Sequence, residues 1–304
     1  MSATPKVSCI VIFYDTDPVF FLEALQSITK QSYRNYEILL VDDGSTNLET
    51  ISVAEDFYAE NCNSTTLLSH PDGQNLGMSA SRNLGIESSD GEYITFLDSD
   101  DTWEPETLTE QVNLLSGNPT VAMVYGPIRH WYSWNADRVE KTDWIEPMTI
   151  QEIGLDFCSN RIISPPLLFS LLVKNKVSIS GFMLTRDAIF SVGGYENEFR
   201  NLYEDQVFCA KICLRYSIYF SDSRWYNYRQ HGNSYCSKVY QDQNVTWRKG
   251  RFEFLRWIEN HLVSENMRFS SEWWMIKTEL FLFRYPGVEK IRGRIFRFVN
   301  RLKV

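Results

Sequence analysis

The sequence predicts an α/β protein with a mostly parallel sheet flanked by helices. Between residues 7 and 101, short runs of β-branched and aromatic residues alternate with segments of helical spacing. That alternation favours βαβ units and parallel strands. Acidic residues follow the apolar runs repeatedly. In open α/β sheets, ligands bind beyond the carboxyl ends of the strands, so these acids are the first candidates for a site.

Four apolar runs predict strands, and they span residues 7–14, 36–41, 66–69 and 93–97. Residues 18–30 carry apolar side chains at helical spacing after a Pro-containing break. Residues 75–86 predict a second helix, opened by Gly77. A further helix is expected from Trp103 onward, after the fourth strand.

The fourth apolar run ends in Asp98, Ser99, Asp100 and Asp101, which place three carboxylates within four residues. Clustered anions repel one another, so folding them together is costly unless a cation neutralises them. Oxygen ligands favour Mg²⁺ or Mn²⁺, which complete their coordination shell with water and phosphate. Taken alone, the motif has an equal alternative, a solvated acidic turn that caps the next helix.

Polar residues also follow the first two strands, as Tyr14–Asp15 and Asp42–Asp43. In a nucleotide-binding fold, an acid after the second strand can accept hydrogen bonds from a base or ribose. A glycine-opened helix with a nearby arginine, here Arg82, can meet phosphates. Each signal is weak by itself. The absence of G-x-G-x-x-G and G-x-x-x-x-G-K-[ST] argues against dinucleotide oxidoreductases and P-loop nucleotidases.

Segments 7–14, 37–45, 75–86 and 91–101 resemble, in order and spacing, successive hallmarks of the family 2 glycosyltransferases. The resemblance implies a GT-A fold and a nucleotide-diphosphate sugar donor, with a UDP-sugar as first choice. It also implies a divalent metal ion, Mn²⁺ or Mg²⁺, held through the Asp-x-Asp element. Transfer would invert the configuration at the anomeric carbon of the sugar.

The same resemblance assigns roles to the residues at the strand ends. Asp43 matches the acid that reads the base, with Asp42 left open as the alternative. Arg82 matches the arginine beside the ribose and phosphates. Asp98 matches the acid that faces the sugar or ribose, and Asp100 matches the metal ligand.

The first strand departs from the family pattern at its end. The family strand usually ends in Pro-x-Tyr-Asn, whereas this one ends in Phe13, Tyr14 and Asp15. Contacts of Tyr14 and the backbone to the base are still expected, and Asp15 is the less secure nucleotide contact. Ser99, inside the Asp-x-Asp element, is expected to contact the nucleotide sugar.

The second half of the chain has fewer signals. Residues 121–125 predict a strand, and residues 129–134 form an aromatic cluster that suits either stacking on sugar rings or core packing. Residues 158–173 are apolar with two prolines and predict a flexible or partner-facing loop beside the acceptor site. Residues 180–195 again resemble the family, as a strand, a short helix and a Gly-Gly turn.

Glu204 and Asp205 open an apolar-rich helix that is expected to run to about Tyr216. Anions in a first helical turn are stabilised by the macrodipole, which suits a proton-accepting group. Adjacent helical residues point about 100° apart, so at most one of the two should face a common site. The resemblance places the general base on Asp205 and leaves Glu204 as a donor-site residue. Helix capping is the alternative role for either acid.

Residues 225–237 resemble the Tyr-Arg-x-His-x-x-Ser element of the family. Arg229 is expected to bind the diphosphate. His231 is expected to join Asp100 on the metal ion or to touch the leaving phosphate. A lone histidine is more often structural, and only its place after this arginine favours the site.

Composition and the C-terminal residues bear on partners and location. The net charge of −9 argues against non-specific nucleic-acid binding. With no apolar run of about 18 residues and no signal-peptide pattern, a cytoplasmic location is expected. Residues 284–304 hold seven Lys or Arg against one Glu, interleaved with apolar residues. This pattern predicts a basic amphipathic helix on an anionic membrane surface or one packed on the protein.

These features predict a GT-A domain over residues 1–240 and a helical extension over residues 241–304. Within the domain, residues 1–118 would bind the nucleotide sugar and residues 119–240 the acceptor. The expected activity is inverting, metal-dependent transfer of a sugar to a hydroxyl acceptor in polysaccharide, glycolipid or glycoprotein glycan synthesis. A nucleotidyltransferase and a non-catalytic sugar-nucleotide-binding scaffold are the alternatives.

Overall fold

The predicted sheet is present in the structure, a computed structural model. The structure describes residues 4–135, 142–145, 149–150, 155–156, 160–175, 177, 180–200, 202–232, 234, 237 and 245–288. Its strands are β1 (Val7–Phe13), β2 (Tyr36–Asp42), β3 (Thr65–Ser69), β4 (Tyr93–Asp98), β5 (Thr102–Trp103), β6 (Val121–Tyr125), β7 (Ile128–Trp131), β8 (Trp144–Ile145), β9 (Thr149–Ile150), β10 (Leu155–Asp156), β11 (Arg161–Ile163), β12 (Met183–Thr185), β13 (Ser217–Phe220) and β14 (Tyr226–Arg229).

The helices are α1 (Pro18–Thr29), α2 (Leu48–Asn61), α3 (Met78–Ser88), α4 (Thr107–Gly117), α5 (Leu167–Val173), α6 (Arg186–Ser191), α7 (Glu204–Arg215), α8 (Val245–Ser264) and α9 (Ser271–Arg284). A short 3₁₀ turn, Pro71–Gly73, precedes α3. Within the described residues, no helix is both long enough and apolar enough to span a bilayer.

The main sheet has eight strands in the order β11-β13-β6-β12-β4-β1-β2-β3. Strands β4, β1, β2 and β3 are parallel, while β12 runs antiparallel between β4 and β6. The register pairs Ile12 with Asp98 and Phe13 with Asp42. The residues that follow β1, β2 and β4 therefore meet at one edge of the sheet. A smaller sheet, β5-β14-β7-β8, borders that edge and brings Arg229 to it.

Side chains of β1 alternate between two hydrophobic clusters, one on each face of the main sheet. Ile10 and Ile12 join a cluster that includes residues of α5, α7, α8 and α9. Cys9 and Val11 join a second cluster with residues of α1, α2 and α4. Strand side chains point alternately to the two faces of the sheet, and a hydrophobic cluster covers each face. All of β1 is therefore buried.

Two local predictions before residue 110 are wrong or incomplete. Helix α2 was not expected from the sequence. Trp103 does not begin a helix, because it lies in β5 and pairs with Tyr226 of β14. The helix starts at Thr107 instead. Glu104 precedes Pro105 and is therefore disfavoured in helical conformation, which argues against a helix that runs on from Trp103.

The predicted flexible loop at residues 158–173 is also wrong where the structure describes it. Residues 161–163 form β11, and five of the seven residues of α5 are buried. Helix α5 packs against α7, so its apolar sequence reflects core packing rather than partner contact. Residues 157–159 lie outside the described part of the chain.

Helix α3 approaches β1 closely at Gly85, and this contact supports a sharp stability prediction. A Cβ at Gly85 would lie 2.6 Å from Cγ2 of Ile10, a buried β-branched side chain that has little room to move. Gly85→Ala should lower the free energy of unfolding by about 1–3 kcal/mol through overpacking. Chemical denaturation measures this loss.

Gly117→Ala is the matched control, because Gly117 also lies in a helix and nothing would lie within 4 Å of its added Cβ. It should be neutral or stabilising by up to about 1 kcal/mol. Equal effects of the two substitutions would contradict the close packing of α3 on β1.

Candidate active site

The exposed acid at the end of β4 is Asp98. Its Oδ1 accepts a hydrogen bond from Nη2 of Arg82 at 2.9 Å, and its Oδ2 accepts one from the Tyr226 hydroxyl at 3.3 Å. The side chain is nevertheless 46% exposed. The Asp98 carboxylate is thus held by two protein side chains and is still accessible to solvent, as a ligand contact requires.

Arg82 lies behind Asp98 and joins the two halves of the chain. Its Nη1 donates to Oε1 of Glu204 at 3.1 Å, and its guanidinium packs over the Tyr195 ring at 5.4 Å. Burial alone would lower the pKa of Arg82, but Tyr195 and the neighbouring carboxylates raise it, so the group stays charged. The expected direct contact of Arg82 with phosphates is not what the structure favours, because this buried side chain is already engaged by two carboxylates.

Glu204 and Asp205 begin α7 after Tyr203, which adopts a left-handed conformation with φ of 64°. Glu204 is buried and paired with Arg82, whereas Asp205 is partly exposed. Oδ1 of Asp205 accepts a 2.7 Å hydrogen bond from the amide of Gln206. Burial and the charge of Glu204 raise the pKa of Asp205 to about 7, against the opposing effect of Arg82.

The expectation that at most one of these two acids faces the site stays a prediction, and of the pair only Asp205 is partly exposed. Glu204 and Asp205 influence one another, and both act on Arg82. Because both lie in the first turn, the guanidinium of Arg82 lies close enough to interact with each. They form one charged cluster with Asp98.

Asp100 and His231 form the candidate metal site. Oδ2 of Asp100 lies 2.9 Å from Nε2 of His231, and both side chains are partly exposed, at 26% and 12%. Over the parts of the chain that the structure describes, no group of three or more His, Cys, Asp or Glu is arranged around a common point. Two protein ligands fit Mg²⁺ or Mn²⁺, which take the remaining ligands from diphosphate and water.

Asp101, the third acid of the motif, is fully buried. Its Oδ1 accepts a 2.7 Å hydrogen bond from the amide of Arg229. Burial, followed by the charges of Asp100 and Asp98, raises its pKa well above the usual range. Asp101 therefore supports the loop from inside rather than contacting a ligand.

Arg229 is buried, whereas the contact with a diphosphate predicted from the sequence needs an accessible side chain. Its side chain is 2% exposed, and Nη2 donates to Oε2 of Glu23 at 2.6 Å. Its guanidinium lies 4.4 Å from the ring centroid of Phe20 and 4.6 Å from that of Trp131. The predicted contact with the diphosphate stays a prediction, and in this structure the guanidinium is enclosed by aromatic rings and paired with Glu23.

The aromatic cluster at residues 129–134 has mainly a packing role. Trp131 and Trp134 both lie against Arg229, and Nε1 of Trp134 donates to the carbonyl oxygen of Gln230 at 2.9 Å. His130 stacks on Trp144 with ring centroids 3.9 Å apart. The packing alternative is the one that these contacts support.

The two acids after β2 have different environments. Asp43 is buried, and its carboxylate accepts hydrogen bonds from the amides of Leu76 at 2.9 Å and Gly77 at 3.0 Å. It holds the entry to α3, so the preference for Asp43 as base contact is not supported. Asp42 is partly exposed and accepts a 2.8 Å bond from the amide of Ser45. Of the two, Asp42 is the more exposed.

The loop after β1 contributes Tyr14 and Asp15. Tyr14 is 52% exposed and is available to a ligand. The carboxylate of Asp15 accepts hydrogen bonds from the amides of Thr46 at 2.6 Å and Asn47 at 2.7 Å. Burial would raise the pKa of Asp15, but these bonds lower it overall. Asp15 therefore ties two loops together. Ser99 is buried and shares a 2.7 Å hydrogen bond with Thr16.

Three supporting residues were not found from the sequence. Tyr226 contacts Asp98, Tyr195 packs under Arg82, and Glu23 pairs with Arg229. Tyr226 and Tyr195 lie inside segments that resemble the family, but no spacing signal marks them. Glu23 lies within a helix with no motif, and only the tertiary fold brings it to Arg229.

The family model for "Glycosyl transferase family 2" matches residues 8–192, more than half of the chain. The chain belongs to this family of glycosyltransferases. An uncharacterized glycosyltransferase of Haemophilus influenzae is 35% identical over 122 residues, covering 40% of this chain and 46% of that protein. Glycosyltransferase GlyA of Streptococcus pneumoniae is 34% identical over 119 residues, covering 37% of this chain and 16% of that protein. The matches span less than half the length of these relatives.

Two solved structures have the same fold. TarS 1–349 of S. aureus in complex with UDP-GlcNAc superposes with a TM-score of 0.63 at 20% identity, covering 85% of this chain and 66% of that chain. The mannosyltransferase PcManGT of Pyrobaculum calidifontis, in complex with GDP-Man and Mn²⁺, gives a TM-score of 0.60 at 16% identity, covering 92% and 70%. The predicted GT-A fold is confirmed.

The raised pKa of Asp205 yields a pH-dependent stability prediction. The carboxyl has an ordinary pKa of 3.8 and a folded pKa of about 7. Between these values folding takes up a proton, so the contribution of Asp205 to stability falls as pH rises from about 4 to about 7. Asp205→Asn removes this cost. It should raise the thermal midpoint by about 2–4 °C at pH 8, as expected for about 1 kcal/mol in a large domain.

The gain should shrink toward zero near pH 4, and thermal unfolding across pH measures it. Glu204→Gln is the neighbouring control. It should lower the midpoint at neutral pH, because it weakens the pairing of buried Arg82. A stability gain for Asp205→Asn that did not change with pH would contradict the assigned electrostatics.

Proposed function

We propose that this chain transfers a sugar from a nucleotide-diphosphate sugar to a hydroxyl acceptor, with inversion and with a divalent metal ion. The observation that carries the proposal is the position of Asp205. It is a partly exposed carboxylate, with a pKa raised to about 7, in one charged cluster with Asp98 and Arg82. A general base works best when its pKa lies near the working pH. A binding scaffold has no need for such a group.

In the proposed reaction, Asp205 accepts the proton of the acceptor hydroxyl. The hydroxyl oxygen forms a bond to C1 of the sugar while the bond from C1 to the diphosphate oxygen breaks. This single displacement needs one base and no protein nucleophile. Asp98, oriented by Arg82 and Tyr226, would hold the sugar or ribose hydroxyls through its exposed side.

Asp100 and His231 would hold the Mn²⁺ or Mg²⁺ ion, which when bound neutralises charge on the departing diphosphate. Tyr14 and Asp42 are proposed to contact the base from the ends of β1 and β2. A UDP-sugar is the proposed donor, although the similar structures were solved with UDP-GlcNAc in one case and GDP-Man in the other. Polysaccharide, glycolipid and glycoprotein acceptors are the proposed classes.

Nucleotide binding tests the donor site directly. Thermal unfolding would be followed with UDP, GDP, dTDP and CDP, each with Mn²⁺ and then with EDTA. A ligand at 100 times its dissociation constant adds about 2.7 kcal/mol to stability, which is an easily measured shift. We expect a metal-dependent rise with UDP and smaller rises with the others. No rise with any nucleotide would contradict the proposal.

Catalysis by Asp205 is tested by separating turnover from binding. Asp205→Asn should abolish release of nucleotide diphosphate from the donor in the presence of acceptor. The nucleotide dissociation constant should stay within about threefold, or ~0.7 kcal/mol, because the donor contacts remain. Asp205→Glu keeps the acid but displaces it, so partial activity is expected. Loss of nucleotide binding in Asp205→Asn would refute the base assignment.

We also propose peripheral contact with an anionic membrane through the C-terminal region. Residues 289–304, outside the described part of the chain, hold six Lys or Arg and one Glu. Helix α9, which precedes them, exposes Trp274 and Phe281, and Tyr285 follows its last residue; each of the three is about half exposed. Aromatic side chains beside basic residues suit the boundary between headgroups and acyl chains.

Vesicle sedimentation tests the membrane proposal. The protein should sediment with phosphatidylglycerol-containing vesicles and much less with phosphatidylcholine alone. Replacing Trp274 and Phe281 with Ala should weaken binding several-fold. Phe190→Ala is the matched control, because Phe190 is also about half exposed but lies in α6. Equal sedimentation of all variants, or none for the wild type, would contradict membrane contact.

A further inference from the structure

Glu23 lies on α1, outside every segment that resembles the family site. Its Oε2 accepts a 2.6 Å hydrogen bond from Nη2 of Arg229, although its own side chain is 46% exposed. The exposed side of Glu23 borders an open depression that Trp103 and Trp131 also line. A surface glutamate thus reaches into the protein to contact a fully buried arginine.

Arg229 in turn holds the loop that carries the candidate metal ligand. Its Nε donates to the carbonyl oxygen of Asp100 at 2.7 Å, and its amide donates to Oδ1 of Asp101 at 2.7 Å. His231 follows two residues later and contacts the Asp100 carboxylate at 2.9 Å. One strand end therefore holds Asp100 by both its backbone and its side chain.

Because Arg229 is enclosed by aromatic rings, the position of its guanidinium depends strongly on the salt bridge to Glu23. The guanidinium is packed against the rings of Phe20, Trp131 and Trp134, at 4.4, 4.6 and 5.4 Å from their centroids. Aromatic faces attract a cation and exclude water from it. A desolvated charge still needs an anionic partner, and removing one member of a buried pair is far costlier than removing an exposed one.

We infer that Glu23 and Arg229 are positioning residues that set the direction of Asp100 toward the divalent metal ion. This inference rests on the proposed function, since it concerns how the same metal site is built. Neither residue would touch the ion. Glu23 fixes the guanidinium in its aromatic enclosure, the guanidinium fixes the Asp100 backbone, and the backbone fixes the carboxylate beside His231.

Loss of a residue that orients a metal ligand typically costs 10–100-fold in metal affinity. Glu23→Gln should therefore raise the Mn²⁺ concentration that gives half of the nucleotide-dependent thermal shift by at least about 10-fold. The full shift should return at high Mn²⁺, because Asp100 and His231 are both present. Arg229→Lys should act in the same direction, since lysine keeps the charge but lacks the planar fork whose separate nitrogens donate to Asp100 and Glu23.

The experiment titrates Mn²⁺ at a saturating, fixed concentration of the nucleoside diphosphate that stabilises the wild type most. The thermal midpoint is the readout, so no acceptor or turnover is needed. Glu265→Gln is the matched control. It removes an equally short contact, 2.6 Å from Nη2 of Arg215, at the junction of α7 and α8 away from the site. Its Mn²⁺ requirement should equal that of the wild type.

The outcomes separate this inference from the proposed function. A wild type with no Mn²⁺-dependent shift would refute the metal site itself. A responsive wild type with an unchanged Mn²⁺ requirement in Glu23→Gln would overturn the positioning role, even if the variant unfolds at a lower temperature in EDTA. If Glu23→Gln does not fold, Arg229→Lys decides in the same titration.

Discussion

The site depends on one buried positive charge, the guanidinium of Arg82. A buried charge is tolerated only when anions compensate it, and here the anions come from distant parts of the chain. Asp98 ends β4 in the first half, and Glu204 begins α7 in the second half. The pairing therefore fixes the proposed donor side and the proposed catalytic acid relative to each other. Arg82 lies on α3, which packs closely on β1 at Gly85.

The acids around this charge are chemically alike but have different environments. Asp98 is half exposed and anchored, while Asp100 is paired with a histidine. Asp101 is fully buried, and its pKa is raised well above the usual range. The pKa of Asp205 is raised to about 7 by burial and by Glu204. Environments that separate the pKa values of neighbouring acids commonly mark different chemical roles.

Much of the architecture could be predicted from residue patterns. The parallel strands and the helix that contains Arg82 were expected, because buried strands have a strong β-branched signature and Gly77 opens the helix. Helix α2 was missed, and only three of its fourteen residues are buried, so its inward face is narrow. The prediction of a loop at residues 158–173 gives its two prolines more weight than its apolar residues, and it is wrong over residues 161–173. Only the burial of α5 against α7 identifies the apolar residues of this segment as core.

By itself, the sequence determined which residue types stand at the strand ends, because strand signals and acidic motifs are local. It thereby indicated the family, the GT-A fold and the set of candidate acids. The tertiary structure decided which of those groups are exposed and which are buried or paired. It left Asp42 open and buried Asp43 under α3, and it enclosed Arg229 in aromatic rings with Glu23 as partner. Exposure and pairing depend on elements far apart in the chain, and no local pattern records them.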